Sequence, residues 1–266
     1  MNLKFEKYHG TGNDFVVIDD RSHSFPTDDY ALVARLCERH KGIGADGLML
    51  LRKREGFDFE MVYYNSDGNP GSMCGNGGRC ITAFAVRLGI VSHQARFMAY
   101  DGPHEAYVKP VTGQPGLHNV KLQMGDVKSV EMVGQDFFLD TGSPHLVSWR
   151  KNLQNLNVKQ EGSAIRYNDR FREKGTNVNF VDWEDGRLLV RTYERGVEDE
   201  TLCCGTGVTA SAVCYAHING IGNGIIPVTM PGGDVSVHLK VAADGTYTDV
   251  WLEGIATHVF SGEMVL

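Results

Sequence analysis

Two stretches, MCGNGGRCITAFAV at 73–86 and CCGTGVTASAVCYA at 203–216, read alike: a cysteine, a Gly-x-Gly turn, then small and apolar residues at helical spacing. Three more pairs stand before them in the same order. HGTGNDFVVID (9–19) resembles LDTGSPHLVSW (139–149), GADGLMLL (44–51) resembles GTNVNFVD (175–182), and EMVYYNSDG (60–68) resembles LVRTYERGV (189–197). Each pair is separated by about 130 residues. Any one match alone would be weak; four in one order at one separation point to an internal duplication.

Local patterns fill in the repeated unit. FVVID (15–19), GLMLL (47–51) and DFEMVYY (58–64) read as strands between Gly/Asn/Asp turns. Residues 77–89 read as a helix, with Ile81, Phe84, Ala85 and Leu88 at helical spacing and Gly89 as its stop; further helices are expected over 29–40 and 206–218. Two similar α/β units in one chain tend to pack as a pseudo-symmetric pair, for the reason that makes dimers two-fold. Corresponding residues would then face each other, and clefts between domains are common ligand sites. Cys74 and Cys204 are therefore expected to approach a ligand from opposite sides, close enough to oxidise to a disulfide when the cleft is empty.

Composition narrows the class. The chain has 266 residues, enough for two ordinary domains, with 42% hydrophobic and 22% charged residues. Its net charge of -7 and its lack of a basic stretch argue against a nucleic-acid partner. No apolar run is long enough to span a bilayer, and MNLKFEKYHG lacks a signal peptide's apolar core, so a soluble, cytoplasmic protein is expected. The cysteines at 37, 74, 80, 203, 204 and 214 are then read as thiols; with no CxxC pair and no His-rich spacing, no metal site is expected.

Inverting a carbon centre needs a base on one face and an acid on the other, with the roles exchanged for the reverse direction. Two matched thiols, one ionised, meet that need. Cys74-Gly75-Asn76-Gly77 and Cys204-Gly205-Thr206-Gly207 each place a sulfur where a helix begins. There, unsatisfied N–H groups and the helix dipole favour a thiolate. The same N–H groups can hold a substrate carboxylate and the charge that builds on it when the α-proton leaves. GTGND (10–14) and GIGADG (42–47) fit neither a dinucleotide fingerprint nor a phosphate-binding loop, so no cofactor is expected. Cys80 and Cys214 fall in helices and are read as core residues, Cys37 falls in a helix and carries no signal, and Cys203 should point away from its neighbour.

Other candidates carry two readings each. His145 is a structural histidine or a site residue, since it aligns with the loop holding Asn13 and Asp14. Glu194 and Arg195 are a surface ion pair or ligands for a zwitterion. Asn65 and Asn177 are turn residues or ligands, and Glu198-Asp199-Glu200 reads as a solvated turn.

HGTGNDF, NSDG, MCGNGGRC, GTNVNF, YERG and CCGTG, in this order and approximate spacing, resemble the diaminopimelate epimerase family over essentially the whole chain. The resemblance implies a cytoplasmic, cofactor-independent homodimer of lysine and peptidoglycan-precursor synthesis that converts LL-2,6-diaminopimelate to the meso form. It implies an α/β (α+β) fold of two pseudo-symmetric domains, each a strongly curved mixed sheet around a central helix. The expected boundaries are 1–120, carrying Cys74 and rejoined by a tail from about 256–266, and 121–255, carrying Cys204. By motif, Cys74 and Cys204 resemble the acid/base pair, and Gly75, Asn76, Gly205 and Thr206 the cradle of the reacting carboxylate. Asn13, Asn65, Asn177 and Arg195 resemble ligands of the distal amino-acid end, with Glu194 and His145 as a polar pair beside the reacting centre.

The chain departs from the family pattern at Ser143, where Asn is usual, at Gly47, where Gln is frequent, and in a Glu194–Cys204 stretch one residue longer than usual. Proline and hydroxyproline epimerases share the two-cysteine logic but carry CGHG where this chain has CGNG. An isomerase without the cysteine pair is disfavoured by the presence of both cysteines. A non-catalytic amino-acid-binding protein would bind the same ligand but exchange no α-proton.

Overall fold

The computed structural model describes residues 2–266. The chain divides into two compact units, Met1–Leu122 with Gly254–Leu266, and Gln123–Glu253. The first unit runs β1 (Asn2–Gly10), β2 (Asn13–Asp19), α1 (Tyr30–Cys37), β3 (Gly47–Arg52), β4 (Phe59–Asn65), α2 (Gly75–Arg87), β5 (Gln94–Ala99), β6 (Gly102–Pro110) and β7 (Leu117–Gln123). The second runs β8 (Glu131–Val133), β9 (Asp136–Asp140), β10 (Pro144–Trp149), α3 (Val158–Arg166), β11 (Asn177–Glu184), β12 (Arg187–Glu194), β13 (Asp199–Thr201), α4 (Gly205–Ile218), β14 (Asn223–Met230) and β15 (Gly233–Val241). The last strand, β16 (Tyr247–Val265), gives its first residues to the second unit and the remainder to the first.

The duplication is visible in the strand pairing. From β1 to β6, neighbours pair antiparallel, parallel, antiparallel, parallel, antiparallel. Along β9, β10, β11, β12, β14 and β15 the same sequence of senses recurs, with β13 an addition on β12. The parallel steps are where the crossover helices sit, as parallel pairing requires. Backbone specials repeat as well: Gly12 and Gly142 have φ of 83° and 101°, and Gly44 and Gly175 have 79° and 77°. These turns lie in the left-handed region that a side chain would disfavour.

In the first unit β16 pairs antiparallel with both β7 and β1, which closes the sheet into a barrel. In the second unit β16 neighbours β15 on one side, while Met124 and Val127 bond across to Val250 and Tyr247 on the other. Each curved sheet encloses one helix. Residues Gly75–Ala85 of α2 are buried almost without interruption, and so are most residues of α4. A helix covered on all sides cannot be amphipathic. It therefore draws on Gly, Ala, Cys and Thr, with buried hydroxyls returned to its own carbonyls: Thr82 to Gly78, Thr209 to Gly205 and Ser211 to Gly207.

The expected strands stand as β2, β3 and β4. Two helices differ from expectation at their ends. The one expected over 77–89 begins at Gly75, directly after Cys74, and ends at Arg87, with Gly89 (φ 68°) turning the chain away. The one expected over 29–40 stops at Cys37, because the chain folds back and the Ile43 and Gly44 N–H groups bond the Leu36 carbonyl. Asp29 caps its start by accepting from Leu32 N–H. Cys37, Cys80, Cys203 and Cys214 are buried, and all six cysteines are thiols.

Candidate active site

Each unit presents a cysteine as the N-cap of its enclosed helix. Cys74 (φ −112°, ψ 121°) precedes α2 and Cys204 (φ −111°, ψ 106°) precedes α4, so the two sulfurs leave nearly identical backbone positions. In each, the carbonyl accepts the first intrahelical bond, from Gly78 and Val208 respectively. The N–H groups of the first turn have no acceptor within the helix itself.

In the first unit the β1–β2 turn brings Asn13 to Cys74. The Asn13 amide oxygen accepts from Cys74 Sγ at 3.7 Å and from Asn76 Nδ2 at 3.2 Å, and its Nδ2 donates to Asp46 at 2.7 Å. Behind this lies Arg79, fully buried, whose Nη2 donates to Asn76 Oδ1 and Thr11 Oγ1 while its Nε and Nη1 find no partner among the described residues. Asn65 ends β4 in an exposed turn, paired in register with Gly47. Gly47 explains its own departure from the family pattern: a Cβ there would lie 2.5 Å from the Tyr63 ring, which fills the space a longer residue would need.

Asp14 anchors the turn through Lys7 (2.7 Å) and Arg39 (2.7 Å). Burial would raise the Asp14 carboxyl, but the hydrogen bonds and charges of Arg39 and Lys7 outweigh it and hold it well below the ordinary 3.8. A carboxyl depressed on folding contributes its stabilisation in full above its unfolded value and loses it as pH falls toward the folded one. Asp14→Asn is therefore expected to lower Tm at pH 7, and the gap to wild type is expected to shrink on acidification below about 4. A gap unchanged down to about pH 2 would refute the assignment.

In the second unit, Cys204 Sγ lies 3.5 Å from Thr206 Oγ1. Thr206 Oγ1 is 2.9 Å from His145 Nε2, and Ser143 Oγ is 2.9 Å from the same nitrogen. The hydroxyl of Ser143 thus occupies a place in the network where the family carries an amide. His145 is fully buried; burial first, and then the Arg195 charge, hold its pKa down to about 3, so the ring is neutral at physiological pH. Burial also pushes the Cys204 thiol well above its ordinary range, reinforced by Glu194, and the Thr206 hydroxyl and Gly207 N–H do not offset this. The expectation that the helix start alone favours a thiolate is thus corrected for Cys204: desolvation wins there.

Glu194 ends β12 and accepts from Thr201 Oγ1 at 2.8 Å. Asn177 accepts from Arg195 N–H and donates to the Pro144 carbonyl, so its amide braces the Arg195 backbone. The Arg195 side chain donates to the Lys174 carbonyl and lies over Gly175, where a Cβ would meet it at 2.6 Å. The longer Glu194–Cys204 stretch is absorbed by a tight β12–β13 turn with Gly196 (φ 94°) and Glu198 (φ 59°). The acidic run is not a solvated turn. Glu198 accepts from Tyr193 and Tyr167, Asp199 pairs with Lys159, and Glu200 takes Arg191 through both oxygens.

Thr11, Asp46, Arg79 and Asn179 join these clusters; each lies within a stretch quoted from the sequence, but none is singled out there as a site residue. The signal for Asn179 is two asparagines two apart at the start of the strand, each followed by an apolar residue, which puts both on one face.

A family model described as diaminopimelate epimerase matches residues 5–130 and 137–250. The diaminopimelate epimerase of Flavobacterium psychrophilum is 45% identical, covering 97% of this chain and 98% of that one. That of Chlorobaculum tepidum is 40% identical, covering 97% and 99%. Among solved structures, a hydroxyproline epimerase from Agrobacterium vitis, with trans-4-hydroxy-L-proline bound, superposes with a TM-score of 0.71 at 14% identity, covering 100% of this chain and 93% of that one. A phenazine biosynthesis protein of the PhzF family from Bacillus anthracis gives 0.75 at 13% identity, with both chains fully covered. At such identity these two share the fold.

Proposed function

Because the chain belongs to the diaminopimelate epimerase family, we propose that Cys74 and Cys204 are the two acid/base groups with which it interconverts LL- and meso-2,6-diaminopimelate. Enzymes of this family are isomerases that act without pyridoxal phosphate and serve the synthesis of lysine and peptidoglycan precursors. The observation that carries the cysteine assignment is the repeated N-cap: the same residue type, backbone angles and helix start occur once in each unit.

In the reaction one sulfur, as thiolate, takes the α-proton. The electron pair of the broken C–H bond moves toward the carboxylate, and the other sulfur, as thiol, returns a proton to the opposite face. Burial and Glu194 favour the thiol form of Cys204 in the protein without substrate. Gly75, Asn76, Gly205 and Thr206 offer first-turn N–H groups to the reacting carboxylate. Asn13, Asn65, Asn177 and Arg195 are assigned to the distal amino-acid end, Asn177 partly through its hold on Arg195. Glu194 and His145 are assigned to the surroundings of the reacting centre. A ligand lacking the distal charges leaves such polar groups unpaired, which disfavours shorter amino acids. We assign the enzyme to the cytoplasm, as a homodimer acting on a small molecule; among the described residues no helix is long and apolar enough to cross a membrane.

The test is incubation of the reduced protein with LL-diaminopimelate in D2O and no added cofactor. Meso product with deuterium at the inverted carbon is expected. Folded, reduced protein that gives neither product nor exchange refutes the assignment and directs attention to proline-type substrates or to binding alone.

A further inference from the structure

Asn179 is the third residue of β11, with no exposed surface, and its amide can be oriented from its partners. Its Nδ2 lies 3.0 Å from the Leu146 carbonyl, which can only accept, so the NH2 group must face that side. The same Nδ2 is 3.1 Å from His145 Nδ1, and Thr192 Oγ1 donates to Asn179 Oδ1 at 2.9 Å. Both amide hydrogens and the oxygen are thus committed. His145 Nδ1 receives a hydrogen and must present its lone pair, so the ring proton belongs on Nε2, the nitrogen that faces Thr206 and Ser143.

We propose that Asn179 is a positioning residue that fixes the Nε2–H tautomer of His145 and so aims an uncharged relay of donors, His145 to Thr206 to the Cys204 sulfur. With Nε2–H donating to Thr206 Oγ1, the threonine hydroxyl proton has two acceptors, Sγ at 3.5 Å and Ser143 Oγ at 3.2 Å, and a sulfur that carries charge takes it. A sulfur that has just given up its proton is then met by a donor already held within reach, one hydroxyl rotation away, at little cost in reorganisation. A cationic histidine could do the same, but it would also hold the thiolate too tightly to reclaim a proton. The neutral relay keeps Cys204 able to work in both directions.

The surroundings fit this reading. Gly207, on the first turn of α4, lies so close that a Cβ would stand 2.3 Å from Asn179 Oδ1 and 3.3 Å from His145 Cε1. The helix is thus seated directly on the Asn179–His145 pair. The ionisable groups acting on this cluster are Glu194 and Cys203 toward Cys204, and Arg195 toward His145. The Arg195 charge opposes protonation of the ring and so helps to keep the relay neutral.

The inference rests on the function proposed above, but its first readout does not require turnover. Long-range nitrogen–proton correlation spectra of 15N-histidine protein, with His145 assigned by its loss in His145→Gln, report the tautomer directly. Wild type is expected to show Nε2–H, unchanged between about pH 5 and 9. A wild-type ring carrying its proton on Nδ1, or one titrating within that range, would overturn the proposal even if the protein is a fully active epimerase. Asn179→Asp replaces the donor by a carboxylate, which draws the proton to Nδ1 or charges the ring. It is expected to lower kcat by about tenfold to a hundredfold with KM changed by less than about threefold, and Asn179→Gln is not expected to restore it. A folded Asn179→Asp protein with wild-type kcat would also overturn the proposal. If wild type shows Nε2–H yet turns over no diaminopimelate, the functional reading has failed and the tautomer assignment has not.

Discussion

Replacing Cys74 or Cys204 by alanine is expected to lower kcat for diaminopimelate epimerisation by about 10²- to 10⁴-fold, the range a positioned acid or base contributes. Cys80→Ala and Cys214→Ala are expected to leave kcat within about threefold of wild type while lowering stability, since both sulfurs are buried in packed surroundings and leave small cavities when removed. The contrast matters because all four residues are cysteines on or beside the same two helices. A general dependence on thiols would not separate them; an N-cap sulfur acting on substrate does. The double variant Cys74→Ala/Cys204→Ala is expected to be little worse than either single one, because groups that act as a unit are not additive. Steady-state kinetics on the four single variants and the double one decide this. Equal losses in all four would point to packing and remove the case for two special sulfurs.

Gly207→Ala is expected to be destabilising and to abolish most activity, against the direction that helix propensity predicts. Alanine favours a helix over glycine by about 1 kcal/mol, and Gly207 lies within α4 with no left-handed φ to protect. The Cβ, however, would meet Asn179 Oδ1 at 2.3 Å, and that amide is held by Thr192, Leu146 and His145. Either the amide turns and breaks a buried network, or the start of α4 lifts and carries Cys204 with it. Overpacking of this kind costs about 1–3 kcal/mol, so propensity loses. Gly222→Ala is the control, because nothing lies within 4 Å of its added methyl. Thermal unfolding and kcat are the measurements: a Gly207→Ala protein as stable and active as the Gly222→Ala control would mean that the start of the helix can shift without cost.

The contact between Gly207 and Asn179 is not legible in the sequence, because it joins a helix to a strand through packing alone. The duplication is legible because the paired positions are constrained by backbone geometry: Gly12 with Gly142, Gly44 with Gly175, and the two cysteines. Such constraints fix residue type and survive divergence. The sequence pattern starts α2 two residues late because Gly75-Asn76-Gly77-Gly78 has poor intrinsic helix propensity. Enclosure by the barrel overrides it, and the space at Gly78 is taken by the ends of the Met73 and Leu122 side chains, which a Cβ would meet at 2.6 and 2.9 Å. The run Glu198-Asp199-Glu200 looks solvated in the sequence because its partners, Tyr193, Tyr167, Lys159 and Arg191, are scattered along the chain. Arg79 gives no signal because a charged residue in a helix is ordinarily exposed; only the fold shows it sealed behind Asn76.

The path of β16 has a consequence for the order in which the molecule is made. Residues Val265, Met264 and Glu263 pair with Asn2, Leu3 and Lys4, so β1 waits for β16. All of Gln123–Glu253 must be translated in between, on the order of ten seconds at ordinary ribosomal speed. During that interval β1 and β7 present unpaired edges, which invite pairing with other chains. The unit containing Cys204 is one contiguous stretch, Gln123–Glu253, whereas the one containing Cys74 cannot close until Gly254–Leu266 have been made. A copy that stops before β16 is left with both of those edges open.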